Sequence, residues 1–207
     1  MSLAALLAAC ASAAFAQAPA TYLPSFEPGA KSVALRLGTS QPTQTNSFAQ
    51  AVRRGPALSA QYLYFPSDWV AFGADASYHA FGQNTLPDVN NSLDGRASRA
   101  AAAALLGLLR LNLMQETSWT PYILGGAGVN SFTQTIDPGL TPNLPGEQRS
   151  STGLALAAAG GVEFFILRGI SLSFEARYTA FRRPEGFGGP AEAISYLLGL
   201  GFWFNYD

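Results

Sequence analysis

Asp75, Ser77 and His79 sit two residues apart and carry the groups of a carboxylate orienter, a hydroxyl nucleophile and an imidazole base. His79 is the only histidine in the chain, so any Ser–His chemistry has to pass through it. On an extended strand, however, residues i and i+2 lie about 6–7 Å apart, too far for Ser77 and His79 to share a hydrogen bond without neighbouring strands. The local His-x-Ser-Asn pattern of lipid A deacylases is absent. The same two-residue count puts Arg36, Gln61, Arg110, Glu163, Glu175 and Arg177 on the faces of their segments opposite the large apolar side chains. Three arginines set among three carboxylates, if enclosed together, have to pair, because an unpaired buried charge is strongly destabilising. A structural polar network of Arg36, Gln61, Asp75, Ser77, His79, Arg110, Glu163, Glu175 and Arg177 is therefore expected in preference to a catalytic site or an ion path. Metal-ligand spacings, phosphate loops and nucleotide fingerprints are absent, and no cofactor is expected.

The elements that must position these groups read as strands in a non-aqueous solvent. Charged residues make up 12 % of the 207 and apolar residues 48 %, whereas soluble domains carry about a quarter charged residues. The net charge is −1 with both signs scattered, which leaves no basic stripe for a nucleic-acid partner. Residues 1–16 form an uncharged apolar run ending in Ala14-Phe15-Ala16, the pattern of a secretory signal peptide. An alternative reading takes Leu7-Ala8-Ala9-Cys10 as a lipobox with Cys10 lipidated. Cleavage after Ala16 would leave no cysteine and exclude disulfides. Residues 17–30, with Pro19, Pro24, Pro28 and Gly29, form an irregular lead-in. Beyond the leader the uncharged stretch from Thr117 to Ile136 is broken by Pro121, Gly125, Gly126 and Gly128 and cannot be a spanning helix. A membrane protein without spanning helices has to be a closed barrel.

Residues 31–207 supply that barrel as one domain. Period-2 alternation is plain where Val33, Leu35 and Leu37 interleave with Ala34, Arg36 and Gly38, and where Leu58, Ala60, Tyr62 and Tyr64 interleave with Ser59, Gln61 and Leu63. It is strongest from Val70 to His79 and from Ile170 to Thr179, with large apolar side chains on one face and small or polar ones on the other. A fourth segment, Arg99 to Met114, contains a run from Ala100 to Leu109 that is apolar without alternation and rich in good helix formers; its context assigns it as a strand. Trp119–Phe132, Thr152–Phe165 and Ile194–Tyr206 complete eight. Gaps alternate short (Pro66–Asp68, Gln115–Ser118, Leu167–Gly169) and long (about 40–55, 82–98, 133–151 and 182–193). That order is expected of an all-β, eight-stranded antiparallel up-and-down transmembrane β-barrel with both termini in the periplasm. Tyr62, Tyr64, Trp69, Trp119, Tyr122, Tyr178, Phe202 and Phe204 fall near strand ends and are expected at the membrane interfaces.

Three stretches carry a family resemblance. Leu105 to Asn112 followed by Thr120-Pro121-Tyr122-Ile123-Leu124-Gly125-Gly126-Ala127-Gly128-Val129 resembles the central hairpin of the OmpA-like, opacity-type outer-membrane barrels. Gly160-Gly161-Val162-Glu163-Phe164-Phe165 with Leu172-Ser173-Phe174-Glu175-Ala176-Arg177-Tyr178 is similar to the hairpin that follows it. Leu198-Gly199-Leu200-Gly201-Phe202-Trp203-Phe204 looks like the closing strand, although Asn205, Tyr206 and Asp207 extend past the aromatic that often ends such chains. The resemblance implies an outer-membrane location in a Gram-negative bacterium, contact with membrane lipid and lipopolysaccharide, insertion by the barrel-assembly machinery and a monomeric state. It implies a non-enzymatic structural or surface-binding role through the extracellular loops, with an extracellular ligand as partner. A lipid A-modifying enzyme using His79 and a narrow small-solute channel are the alternatives.

Overall fold

The structure, a computed structural model, describes residues 28–43, 48–49, 52–85, 97–114, 119–136, 147–167, 169–182 and 191–204. The expected leader with Cys10, most of the lead-in, and the loop residues Asn90, Asn91, Pro138, Pro142 and Pro145 lie outside the described residues. The strands are β1 (Lys31–Pro42), β2 (Val52–Arg53), β3 (Gly55–Tyr64), β4 (Val70–Thr85), β5 (Ala97–Asn112), β6 (Trp119–Ile136), β7 (Glu147–Leu167), β8 (Ile170–Phe181) and β9 (Ala191–Phe204). The two-residue β2 continues β3 across Arg54 and pairs with the same neighbour, β4, so the wall has eight staves. Each stave pairs antiparallel with the next, β1 with β9, and β4 with β5, which closes the ring.

Closure fixes a stagger. Partner residues followed once round the wall run from Ser32 through Leu63, Gly73, Leu108, Gly126, Ala157, Thr179 and Ala193 to Pro42, ten residues farther along β1. Ten residues of about 3.3 Å rise against eight strand spacings of about 4.8 Å tilt the strands by about 40°. Such a tube is only wide enough for side chains to fill.

Alternation then sorts the side chains. Along β1, Ser32, Ala34, Arg36 and Ser40 are buried in the interior, while Val33, Leu35 and Leu37 are exposed on the outside. The outer surface is a continuous apolar band, with Leu154 and Leu198 about 70 % exposed, the inverse of a water-soluble protein and the surface that hydrocarbon requires. Backbone groups are satisfied inside the wall, as a lipid solvent demands.

Several boundaries differ from the sequence expectation. β6 runs to Ile136 and β7 starts at Glu147, both inside a stretch read as loop. Here the hairpin carries polar residues on its outward face, Ser131 and Thr133 on β6 and Ser150 and Thr152 on β7, so its ends show no amphipathic period. β5 lacks alternation because its inward residues Ala100, Ala102, Ala104, Leu106 and Leu108 are apolar as well. At the terminal end Asn112 N–H donates to the Trp69 carbonyl and its Nδ2 to the Asp68 carbonyl. Gly169 takes φ = 81°, a left-handed conformation favouring glycine, where its carbonyl accepts from Trp203 N–H.

The sidedness of β1 gives a depth test. Leu37→Arg, midway along the strand on the apolar face, is expected to lower stability by about 2–4 kcal/mol, and Gln41→Arg, near the loop end, by about 0–1 kcal/mol. Urea unfolding of the folded barrel in lipid vesicles measures both, and equal costs would contradict the assignment of faces.

Candidate functional site: the ionic interior and its aromatic closures

Charge and aromatic rings fill the tube in layers. In the middle layer Arg177 (β8) reaches across to β4, with Nη1 2.7 Å and Nη2 3.3 Å from the two carboxylate oxygens of Asp75. Its Nε donates to Glu175 at 2.7 Å. Ser59 donates to the Asp75 carboxylate. Glu175 also accepts from Tyr122 Oη at 2.9 Å and lies 3.8 Å from Arg36 Nε. Every member of this layer is buried.

A second layer lies towards the terminal end. Arg110 Nη2 is 2.6 Å from Glu163 Oε2, a close charge contact, and Arg110 Nε donates to Asn112 Oδ1 at 2.9 Å. The other Glu163 oxygen accepts from Ser171 Oγ at 2.5 Å and Trp203 Nε1 at 3.2 Å. Tyr122 joins the layers: its hydroxyl is on Glu175 while its ring lies under the Arg110 guanidinium, 3.9 Å from carbon to centroid.

Glycines make room for the large members. A Cβ on Gly161, the β7 partner of Tyr122, would meet that ring at 2.5 Å, and one on Gly199, the β9 partner of Arg36, would meet the Arg36 stem at 2.7 Å. Aromatic side chains close both ends. Trp203 packs on Phe65 and Phe165 at the terminal end, with centroids 4.9 and 5.2 Å apart. At the loop end Phe48 is fully buried against Phe81 and Phe132.

All nine side chains expected in the polar network are buried in the interior, but they do not all meet. Arg36, Asp75, Glu175 and Arg177 form one cluster and Arg110 with Glu163 another. The Gln61 and Ser77 side chains have no hydrogen-bond partner among the described residues. His79 is 1 % exposed between the Phe81 and Phe181 rings, and its Nδ1 lies 3.4 Å from Ser195, not Ser77; Ser195 donates to Ser40. The Asp75–Ser77–His79 triad is therefore not assembled, because Asp75 is taken by Arg177 and Ser59.

Tyr122 corrects the sequence reading. It was expected at a membrane interface and instead is 1 % exposed in the interior. Its parity with the inward Thr120 and Leu124 was the available signal. Among the described residues no group of three or more histidine, cysteine, aspartate or glutamate side chains is placed to hold a metal ion.

A closed antiparallel tube, greasy outside and ion-paired within, defines the class of outer-membrane β-barrels. The chain belongs to the outer membrane protein beta-barrel domain family, whose model matches residues 2–204, and it resides in the outer membrane. No curated protein matches it in sequence. In fold it is similar to Neisserial surface protein A, at 14 % identity and TM-score 0.58 over 85 % of this chain and 99 % of that one. It is also similar to OprG from Pseudomonas aeruginosa, at 17 % identity and TM-score 0.56 over 87 % and 98 %. Ail of Yersinia pestis, crystallised in complex with the heparin analogue sucrose octasulfate, matches at 14 % identity and TM-score 0.52 over 86 % and 100 %.

The coupling through Tyr122 can be measured. Glu175→Gln is expected to lower stability by about 3–5 kcal/mol, because Arg177 and Arg36 lose a buried counter-charge. Tyr122→Phe should cost about 1.5–3 kcal/mol, the range for a hydrogen bond to a charged group, and distinctly less when Glu175 is already Gln. Additive costs in urea unfolding would separate the hydroxyl from the ion network.

Proposed function

We propose that this protein is a non-enzymatic barrel that works from its outer face, holding an extracellular ligand or partner at its long connections or serving as a structural element of the envelope. Its termini and short turns then face the periplasm, and it acts as a monomer. The observation that carries this reading is the occupied interior: two paired charge layers lie between aromatic closures. A filled tube of this width argues against a solute path. His79, the residue an enzyme would need, lies beneath Phe81 and Phe181 and away from Ser77, which weighs against catalysis. The complex of Ail with a sulfated sugar analogue supports ligand binding as a use to which this fold is put.

Conductance, lipid chemistry and topology test the proposal together. The reconstituted barrel is expected to give no unitary current steps in planar bilayers, and its expression should leave the acylation of lipid A unchanged. Tags inserted at Asn90 or Pro142 should be labelled on intact cells, and tags at Ser67 or Arg168 should not. Current steps would promote the channel, an altered lipid A the enzyme, and inverted labelling would reverse the orientation.

A further inference from the structure

Two facing strands lay out the loop half of the bore as a ladder. Asp75 of β4 and Arg177 of β8 bond across it. Two residues further towards the loop end come Ser77 and Thr179, then His79 and Phe181, then Phe81, all turned inward and buried. Their register partners on the neighbouring strands are small: Ala57 and Ala102 beside His79, Ala104 beside Ser77, Ala157 and Ala193 beside Thr179. The stopper of this ladder does not belong to the wall. Phe48, carried by the connection between β1 and β2, is fully buried and sets its ring against Phe81 and Phe132, at centroid distances of 4.9 and 5.7 Å.

Below the stopper lie polar groups without partners. His79 Nε2 and the hydroxyls of Ser77 and Thr179 have no hydrogen-bond partner among the described residues, although none of the three residues is more than 7 % exposed. Buried polar groups are ordinarily paired, so three of them on facing strands mark a place suited to a polar guest. Its chemistry is defined by the groups around it. Ser195 donates its hydroxyl proton to Ser40, so its oxygen accepts from His79 Nδ1–H at 3.4 Å, which leaves Nε2 as a bare acceptor. Charge adds no bias, since Arg36 and Arg177 beneath are balanced by Asp75 and Glu175. A charged guest under phenylalanine rings would be desolvated without a counter-charge, whereas a neutral one with an O–H donor is matched.

We infer that Phe48 holds the seat of a small neutral phenol, whose ring takes the place of the Phe48 ring against Phe81 and Phe132 and whose hydroxyl donates to His79 Nε2. The protein's own side chain shows that the seat fits an aromatic ring, and the bare nitrogen below it selects a ring bearing a donor over a plain hydrocarbon. Phe48 suits a displaceable stopper because it stands on a connection, so its ring leaves without breaking the ladder of the sheet. The seat is blind: the Asp75–Arg177 layer lies beneath it, so binding carries no current. It deepens the reading of a ligand held at the long connections by naming the ligand class, and it rests on that reading for the side from which the phenol arrives.

His79 is the only histidine, so its imidazole gives a single pair of nitrogen NMR signals in the full-chain barrel refolded in detergent. Titration with phenol is expected to shift the Nε2 signal, while toluene, which lacks the donor, and cyclohexanol, which lacks the flat ring, leave it in place. Phe48→Ala should bring the shift to about tenfold lower phenol concentration, because the parent must first give up contacts worth about one aromatic pair. Diethyl pyrocarbonate should acylate His79 faster in the Phe48→Ala barrel than in the parent, and phenol should protect it. Heat-modifiable electrophoretic migration reports folding, and Phe48→Leu, an apolar stopper without a ring, is the second variant if Phe48→Ala does not fold. An Nε2 signal unmoved by phenol, an equal response to toluene, or the same phenol requirement in the parent and the folded variant would overturn the seat. Tag labelling on intact cells reports the orientation separately, so a failed seat and a reversed barrel are told apart.

Discussion

Arg177 is the contact on which the rest of the interior depends. Its guanidinium spans from β8 to β4, elements 102 residues apart in sequence, and bonds both Asp75 and Glu175. Asp75 and Glu175 also bind Ser59, Tyr122 and Arg36, so this one cation organises side chains from five strands. A lone charge buried at this depth would be prohibitive. Pairing must therefore be internal, and it must be reached in one register only. A slip of one residue along β4 or β8 would turn Asp75 or Arg177 out towards hydrocarbon and turn Phe72 or Phe174 in. The ion network acts as the register pin of the closed sheet, the same service a buried polar residue performs in a coiled coil.

The pin works only because volume is matched to it. A tube with a ten-residue stagger has a fixed bore, so each large polar side chain needs a small one facing it. Gly161 under Tyr122 and Gly199 under Arg36 supply that room. Substituting Gly161 would push the Tyr122 ring off its hydrogen bond to Glu175, and substituting Gly199 would displace the Arg36 stem and with it the charge contact to Glu175, which makes these glycines part of the electrostatic design. The aromatic closures complete it. With Trp203 and its two phenylalanine neighbours at one end and Phe48 with its own at the other, the charges lie in a low-dielectric space where their mutual attraction is strongest.

The fold was legible in the sequence wherever inside and outside differ in polarity. β4 and β8 meet that condition along most of their length, and their faces follow from a two-residue count. It fails on β5, where alanine and leucine face both ways, and at the far ends of β6 and β7, where both faces are polar above the apolar band. The charged members of the interior were legible for the same reason, since only one face of each strand can hold them. Their connections were not. Which arginine meets which carboxylate depends on the stagger round the ring, and no local pattern encodes that. Tyr122 and Trp203 escaped because an aromatic near a strand end satisfies two environments equally, a membrane interface or a plugged bore, and only parity decides between them.

An interior assembled in this way constrains where change is tolerated. Each buried charge has at least one partner on another strand, so a substitution there carries a cost through several contacts at once. Side chains on the outer face touch mostly their immediate neighbours on the wall. Stability and membrane contact are thereby placed on different surfaces of the same strands: even-numbered positions of β1 hold the barrel together, while odd-numbered ones face outward. The outward side chain at Ala76 can be changed without disturbing Asp75 on one side of it or Ser77 on the other, because those side chains point through the wall in the opposite direction. Period two, which lets the sequence declare its fold, is also what lets the outside of this barrel be rebuilt around an unaltered core.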